Sequence, residues 1–532
     1  CAQETNESTE PPPEEPFAVV AVASVERMLS ALDFSFEVSD RIAASEAIGG
    51  YLEKAGDLKG LNRRQGLGVM IYLSGITPQP IGFAPVENID DLMKTVELGP
   101  FTTKKVTGEY YDYELKGRRE SMYVKMAGGY AFASRDKANL DRTFPDPAGI
   151  VSPLAAEYDV AAMLNLASLP DEKKDIFATL LQVSADTNLQ RRDNEPESAH
   201  RIRKAAGENN ARILEQLLRQ SRDLTIGWRI NRQQRRAVLD FKVRAIPGSE
   251  LATILGELQT TRSQFANFLR GDAPLTFAST WKLGEPGKKV FAEFVQVFED
   301  SIPAAGDDAA VDDDDPVARL FRAARGTVDA GVLDFAIRFL GEPGGPFVFA
   351  GGIKVKDGRA MQEGLAELCL YWLETGKFSD VEIDADTYQG IRFHRLDINN
   401  AGNGDERIYG GPPSLFLGVD DTTLWMAIGG DGALPRLYDQ IDAVAEPPDQ
   451  AAPAVPLQFV VNIADWTSLR GEDEPGRQFF ERVNEAFSPA NAALRIDLKS
   501  IDDGARLRVE FEEGFIRFFG AGIARRMMRR EE

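Results

Sequence analysis

The clearest alternation of apolar and polar residues lies in segments 223–245 and 493–513. Each segment contains two alternating runs separated by a short polar stretch, which in the second segment is Asp502-Asp503-Gly504. A period of two places successive side chains on opposite faces of a strand, so each segment is predicted to form a β-hairpin. Gly504 favours a tight turn in the second hairpin because glycine adopts positive φ angles at little energetic cost.

Segments 121–133 and 414–428 have the same alternation and predict two further hairpins. Asn88 and Asp357 each follow an apolar, strand-like run and are predicted to cap the first turn of a helix. Hairpins with intervening helices indicate antiparallel sheets with helices packed on one face, which is an α+β fold.

Six segments of the first half of the chain have counterparts in the second half, and the order is the same in both. The pairs of segments begin at Pro16 and Pro274, Pro80 and Pro346, Gly108 and Gly390, Ser121 and Ser414, Asp159 and Phe459, and Asp223 and Ala493. Since the order is kept over all six pairs, the chain is predicted to consist of two duplicated α+β units.

The pattern also predicts where the units begin and end. We expect a tether at 1–15, a first unit at 16–270, a second unit at 271–520 and a basic C-terminal tail at 521–532. The first unit contains a polar, arginine-rich insertion at 172–221, which is predicted to be a helical hairpin. The second unit contains an acidic run near 307–325, which is predicted to be a surface loop.

Composition narrows the range of functions. The chain has 532 residues, too many for a single hydrophobic core, and a formal net charge of −23. Such a charge repels phosphate backbones, so no nucleic-acid partner is expected. The sequence contains no apolar run long enough to span a bilayer as a helix.

The chain begins with Cys1, and the residues that follow it are polar, acidic and proline-rich, including Glu14, Glu15 and the segment 11–13. This start resembles that of a mature bacterial lipoprotein, in which a signal peptide is cut immediately before a cysteine that then carries lipid. The resemblance implies that Cys1 is acylated and that the protein is held at a membrane of the cell envelope on its periplasmic or surface side. In this class, an aspartate at the second position favours retention at the inner membrane. The second residue here is Ala2, so the outer membrane is the favoured location.

Histidine and cysteine chemistry is limited to few residues, because the chain contains two histidines and two cysteines. Cys369 lies on an apolar helical stripe and is interpreted as a buried hydrophobic residue. His200 lies in the polar insertion and is expected to be solvated. His394 alternates with Ile391 and Phe393 and is expected to point outward. Asp112 matches His394 in the first half, so no histidine chemistry is shared by the two halves.

Motifs for metals, phosphates and nucleophiles are not convincing. The aspartates at 312–315 are adjacent rather than spaced to surround a cation, and the loop from Asp397 places Ile408 where a calcium loop needs glutamate. No glycine-rich phosphate loop or serine nucleophile elbow occurs in the sequence. No catalytic, cofactor-binding or metal-binding residue is therefore assigned, and Cys1 is the one modified residue predicted.

These observations lead to the prediction of a non-enzymatic, lipid-anchored envelope protein with a structural or binding role. Its partners would be the membrane, through acylated Cys1, and either an envelope protein or an apolar ligand. Two alternatives remain open. The first is a carrier of apolar molecules with a cavity inside a curled sheet. The second is a hydrolase of envelope glycans, which would need two carboxyl groups to converge in one cleft.

Overall fold

The computed structural model describes residues 13–40, 42–302, 315–341, 345–399, 406, 408–446, 456–467 and 477–528. The chain divides into two compact units. Unit 1 comprises Cys1–Asp175, Ser221–Arg244 and Phe515–Glu532, and unit 2 comprises Ile176–Gln220 and Ala245–Gly514. Cys1 and most of the predicted tether lie outside the described residues.

The described residues of unit 1 form ten strands with helices inserted between them. The strands are β1 (Ala18–Val22), β2 (Leu67–Ser74), β3 (Thr77–Pro85), β4 (Thr102–Lys105), β5 (Tyr113–Lys116), β6 (Ser121–Ala127), β7 (Tyr130–Ser134), β8 (Val160–Asn165), β9 (Ser221–Asn231) and β10 (Arg236–Ala245). They pair in the order β4-β5-β6-β7-β3-β2-β1-β8-β9-β10, and the pairs from β4 to β9 are antiparallel. The helices are α1 (Val25–Val38), α2 (Ile42–Lys54), α3 (Ile89–Glu97) and α4 (Pro147–Glu157).

Unit 2 contains the helical insertion and a second set of ten strands. The first helices are α5 (Asp171–Asn188), which begins in unit 1, α6 (Glu197–Gln220) and α7 (Glu250–Glu257). The strands are β11 (Leu275–Lys282), β12 (Val332–Leu340), β13 (Val348–Lys354), β14 (Phe378–Tyr388), β15 (Ile391–Ile398), β16 (Ser414–Val419), β17 (Thr423–Gly429), β18 (Leu457–Asn462), β19 (Ala493–Ile501) and β20 (Gly504–Glu512). Their antiparallel order is β14-β15-β16-β17-β13-β12-β11-β18-β19-β20.

The remaining helices of the second half are α8 (Glu285–Asp300), α9 (Pro316–Asp329), α10 (Gly358–Glu374), α11 (Ala433–Ala445), α12 (Ile463–Thr467), α13 (Arg477–Ala486) and α14 (Glu513–Met528). Both predicted N-caps are confirmed. The Asn88 side chain accepts the backbone N–H of Asp91 at the start of α3, and Asp357 accepts that of Ala360 at the start of α10. The prediction of a mixed α+β fold with antiparallel sheet is confirmed as well.

Helices cover both faces of the sheet in unit 2, so the expectation of helices on one face is wrong there. Phe416 on β16 belongs to a core cluster with Leu437 of α11. The next residue, Leu417, belongs to a different cluster with Leu368 of α10. Neighbouring residues of a strand point to opposite faces, so α10 and α11 lie on opposite sides of the sheet. Cys369 is fully buried on the α10 side, as predicted, and burial raises the pKa of its thiol to about 12.

His394 is buried, with 1% of its surface exposed, and the expectation that it points outward is wrong. Phe393 faces the α11 side, but His394 faces the α10 side, where the helix excludes water. Nδ1 of His394 accepts the backbone N–H of Asp384 at 3.1 Å, at an irregularity in the pairing of β14 with β15. Nε2 is buried without a hydrogen-bond partner among the described residues. Its burial and its hydrogen bond to the Asp384 backbone indicate a structural role.

The second hairpin turn also differs in detail from its prediction. The turn between β19 and β20 places Asp503, rather than Gly504, at a positive φ of 58°. Aspartate tolerates this left-handed conformation because its short side chain can bond locally to the backbone. The predicted hairpin is therefore present, but the residue with positive φ in its turn is Asp503 and not Gly504.

We predict that His394→Ala lowers the free energy of unfolding by about 2 kcal/mol, because it leaves a void and an unpaired Asp384 N–H in the core. Chemical denaturation of the full chain measures this change. Thr387→Ala, at an exposed position on the paired strand, serves as the control and should change stability by less than about 0.5 kcal/mol. Equal effects of the two substitutions would contradict the structural role of His394.

The same residue predicts a pH dependence. Burial lowers the pKa of His394; the Asp384 carboxylate opposes this effect, and Arg392 adds to it. Because the folded-state pKa lies below the unfolded value, the stability contributed by neutral His394 is present above about pH 6.5 and decreases as the pH falls below it. Denaturation curves should show a smaller loss of stability between pH 7 and pH 5 for His394→Ala than for the unmodified chain.

Candidate functional site

A polar cavity of about 630 Å³ lies in unit 2 beside strands β18 and β19. Its wall combines three carboxylates, one guanidinium, two amides and one hydroxyl with small apolar residues. The polar lining residues are Asp272, Thr276, Gln458, Asn462, Asp465, Arg495 and Glu512. They come from the loop before β11, from β11, β18 and α12, and from the ends of β19 and β20, so sheet pairing brings them together.

Arg338 on β12 fixes the loop that carries Asp272. Its guanidinium, in a side chain only 4% exposed, donates hydrogen bonds to four backbone carbonyls of this loop. The acceptors and distances are Phe268 O at 3.1 Å, Arg270 O at 2.8 Å, Gly271 O at 2.9 Å and Asp272 O at 3.2 Å. Burial lowers the pKa of Arg338, and the Asp272 carboxylate opposes this shift. The loop at the rim of the cavity is therefore tied to the interior of the sheet.

Asp465 is placed by the short helix α12, which Trp466 fixes against the sheet. The indole Nε1 of Trp466 donates to Pro274 O at 3.1 Å, and its ring stacks on Phe339 with centroids 4.8 Å apart. Asn462 ends β18 and accepts the backbone N–H of Ala464 at 3.2 Å, which starts the helix. Asp465 is thereby buried, with 8% of its surface exposed. Burial raises the pKa of Asp465, and the neighbouring charge of Asp272 raises it further.

Glu512 and Arg495 form another part of the wall. Glu512 Oε2 accepts the backbone N–H of Ala493 at 2.9 Å, and its Oε1 lies 3.5 Å from Nη2 of Arg495. These contacts fix the position of the Glu512 carboxylate at the base of β19 and β20. The lining of the cavity thus includes both a buried carboxyl group with a raised pKa and an ion pair.

This arrangement suits recognition of a small polar molecule. Carboxylates and amide groups can bond hydroxyl and amine groups of a ligand, and Arg495 can bond an oxygen acceptor. Among the described residues, no group of three or more histidine, cysteine or acidic side chains is placed to hold a metal ion. The chemistry that the wall offers is hydrogen bonding and proton transfer by carboxyl groups.

His200 lies at a second polar cavity, of about 570 Å³, between helices α5 and α6. It was expected to be solvated, but its side chain is only 19% exposed. Arg203 donates to both carboxylate oxygens of Glu195, at 2.7 and 2.6 Å, and also lies 3.2 Å from Nδ1 of His200. The Arg203 hydrogen bonds lower the pKa of Glu195 to about 2. These contacts tie the connection between α5 and α6 to helix α6, and His200 packs beside them.

His200 and His394, the histidines singled out from the sequence, do not line the cavity of unit 2. Cys1 and the aspartates at 312–314 lie outside the described residues, and so does most of the loop after Asp397. Asp272 and Asp465, which line the cavity of unit 2, were not identified from the sequence, and neither was Arg338, which fixes the loop of Asp272. Asp272 and Asp465 are far apart in the sequence. They become neighbours because β11 pairs with β18 and brings Leu275 opposite Val461.

Comparisons with protein-family profiles, with curated protein sequences and with solved structures find no match to this chain. Over the described part of the chain, no helix combines the length and apolar composition needed to cross a membrane.

The raised pKa of Asp465 predicts that Asp465→Asn stabilises unit 2 more at pH 7 than at pH 4. The folded-state pKa is above the unfolded value, so the wild-type carboxyl contributes stability at low pH that is lost as the pH rises through the folded pKa. An asparagine cannot ionise and avoids that loss. Denaturation of the full chain at both pH values measures the difference.

Asp431→Asn, which removes an exposed aspartate from the same unit, is the matched control for this comparison. The difference between pH 7 and pH 4 should be smaller for Asp431→Asn than for Asp465→Asn. If Asp465→Asn is destabilising at pH 7 to the same extent as at pH 4, the pKa of Asp465 is not raised in the folded protein.

Proposed function

We propose that the chain is a non-enzymatic, lipid-anchored binding protein of the bacterial envelope that holds a small polar ligand in the cavity of unit 2. The observation that carries this proposal is the convergence of Asp272, Asp465, Glu512 and Arg495 on one cavity of about 630 Å³. Sites for small molecules are typically concave, with a few polar groups fixed in position. The polar wall favours a ligand rich in hydroxyl or amine groups over an apolar ligand.

The proposed localisation depends on the sequence alone. Acylation of Cys1 is inferred from the lipoprotein-like start of the chain, and a polar tether would connect it to unit 1. Mass spectrometry of the protein from membranes should detect acyl chains on Cys1. An unmodified Cys1 in that material would contradict the anchor and leave the cavity proposal standing.

Ligand binding is tested by screening hydroxyl-rich and amine-bearing compounds for an increase in melting temperature. A compound at one hundred times its dissociation constant stabilises the folded state by about 2.7 kcal/mol, which such a screen detects. Ala490 lines the cavity at an exposed position, so Ala490→Trp should block binding without breaking a core contact. Ala292→Trp on α8 is the matched control and should bind normally. Binding unaffected by Ala490→Trp would place the ligand elsewhere.

A second candidate function is a hydrolase that uses carboxyl groups alone. It is favoured by one observation, that Asp465 is buried with a raised pKa beside the charge of Asp272. Two acids whose environments separate their pKa values can divide the roles of proton donor and base. Release of reducing ends from envelope glycans, abolished by both Asp465→Asn and Asp272→Asn, would support this function over simple binding.

We also propose that the two units arose by duplication. The strand order β4-β5-β6-β7-β3-β2-β1-β8-β9-β10 in unit 1 corresponds position by position to the order in unit 2. Asn165 N–H donates to Phe17 O at 2.7 Å, and Asn462 N–H donates to Pro274 O at 2.9 Å, at equivalent strand ends. These two bonds serve as the starting point for aligning the two sheets. When the strand pairings are followed from β1 through β2 to β3, and from β11 through β12 to β13, Gly82 corresponds to Gly351.

The same registers refine the alignment made from the sequence. They align Ser121 with Ser414, as the sequence pattern does, but they align Tyr113 rather than Asp112 with His394. Tyr113 and His394 are both buried. An experimental structure in which Gly82 and Gly351 occupy different positions of the superposed sheets would contradict the duplication.

A further inference from the structure

Helix α14 is attached to unit 1 along one side. A Cβ atom on Gly520 would lie only 2.6 Å from Ser35 O of helix α1, so glycine permits a close helix–helix contact. Nε of Arg517 donates to Val38 O at 2.8 Å, and Ser39 Oγ donates to Arg517 O at 3.1 Å. These contacts fix which side of α14 faces the protein.

Two large apolar side chains of α14 are exposed. Phe519 is 52% exposed and Ile523 is 45% exposed. They are four residues apart, which places them on the same side of the helix. Exposed apolar side chains grouped on one helix face are typical of a surface that contacts a partner or a membrane.

The sequence that follows this apolar face is strongly basic. Arg525, Arg526, Arg529 and Arg530 fall within six residues and are followed by Glu531 and Glu532, which leaves an excess of two positive charges in a chain whose formal net charge is −23. Arginine near a helix C-terminus also stabilises the helix through its dipole. That effect does not account for the exposure of Phe519 and Ile523, which precede the arginines in the sequence.

We propose that helix α14 docks on an anionic phospholipid surface. Phe519 and Ile523 would enter the interface between headgroups and acyl chains, and the four arginines would be attracted to lipid phosphates. Charge complementarity favours lipid as the occupant, because a basic segment in an acidic protein can approach an anionic surface that the rest of the chain repels. Phe519 and Ile523 do not line the cavity of unit 2, and the proposed contact does not involve the lipid on Cys1.

The test is vesicle co-sedimentation of the full chain carrying Cys1→Ser, so that no acyl anchor contributes. Vesicles of phosphatidylcholine alone are compared with vesicles that also contain about one-third phosphatidylglycerol. The chain should bind the anionic vesicles, and binding should weaken as salt is raised, because the attraction is electrostatic. Replacing all four arginines by glutamine should weaken binding roughly 100-fold or more. Phe519→Ser with Ile523→Ser should weaken it roughly tenfold or more.

Matched controls change the same residue types elsewhere. Four exposed arginines in loops, Arg118, Arg119, Arg191 and Arg192, are replaced by glutamine, and the exposed Ile254 and Leu370 are replaced by serine. These variants should bind like the parent chain. Circular dichroism confirms that each variant is folded, and the salt dependence of the parent chain provides a measurement without helix substitutions. Absence of binding, equal binding to neutral vesicles, or equal losses in the control variants would each overturn the proposal.

Discussion

The buried guanidinium of Arg338 is the interaction on which the candidate site depends. A charged group taken out of water is costly unless hydrogen bonds compensate it, and the two Nη atoms of Arg338 obtain such bonds from the carbonyls of residues 268, 270, 271 and 272. The loop cannot move away without leaving this charge unpaired in the core. Asp272 is thus held beside Asp465, and the raised pKa of Asp465 follows from burial and from that proximity.

Helices on both faces of the sheet decide which residues of a strand are buried. On β15, Ile391 and Phe393 face α11 while His394 and Leu396 face α10, and all four are buried. Alternation of apolar and polar residues is a reliable guide only when one face of a strand meets water. The strand itself could therefore be predicted from the sequence, and the position of His394 could not, because it depends on a helix that is distant along the chain.

Local features of the fold were predictable because they depend on neighbouring residues. The hairpin of β19 and β20 and the caps at Asn88 and Asp357 need only a turn or a side chain that reaches its own helix. The candidate site was not predictable because it depends on residues that are far apart in the sequence. Asp465 is separated from Asp272 by most of unit 2, and no spacing along the chain marks the pairing of β11 with β18 that joins them.

Hydrogen–deuterium exchange of residues 267–276 in the unmodified chain and in Arg338→Lys tests most directly whether Arg338 holds the wall of the cavity. Lysine keeps the charge but cannot donate to four carbonyls in the fork geometry of arginine. Exchange in this loop should become faster by roughly tenfold or more in Arg338→Lys, with helix α10 unchanged, because only local structure is released. Arg436→Lys on α11 is the control. Unchanged exchange in the loop, or faster exchange throughout unit 2, would contradict the account.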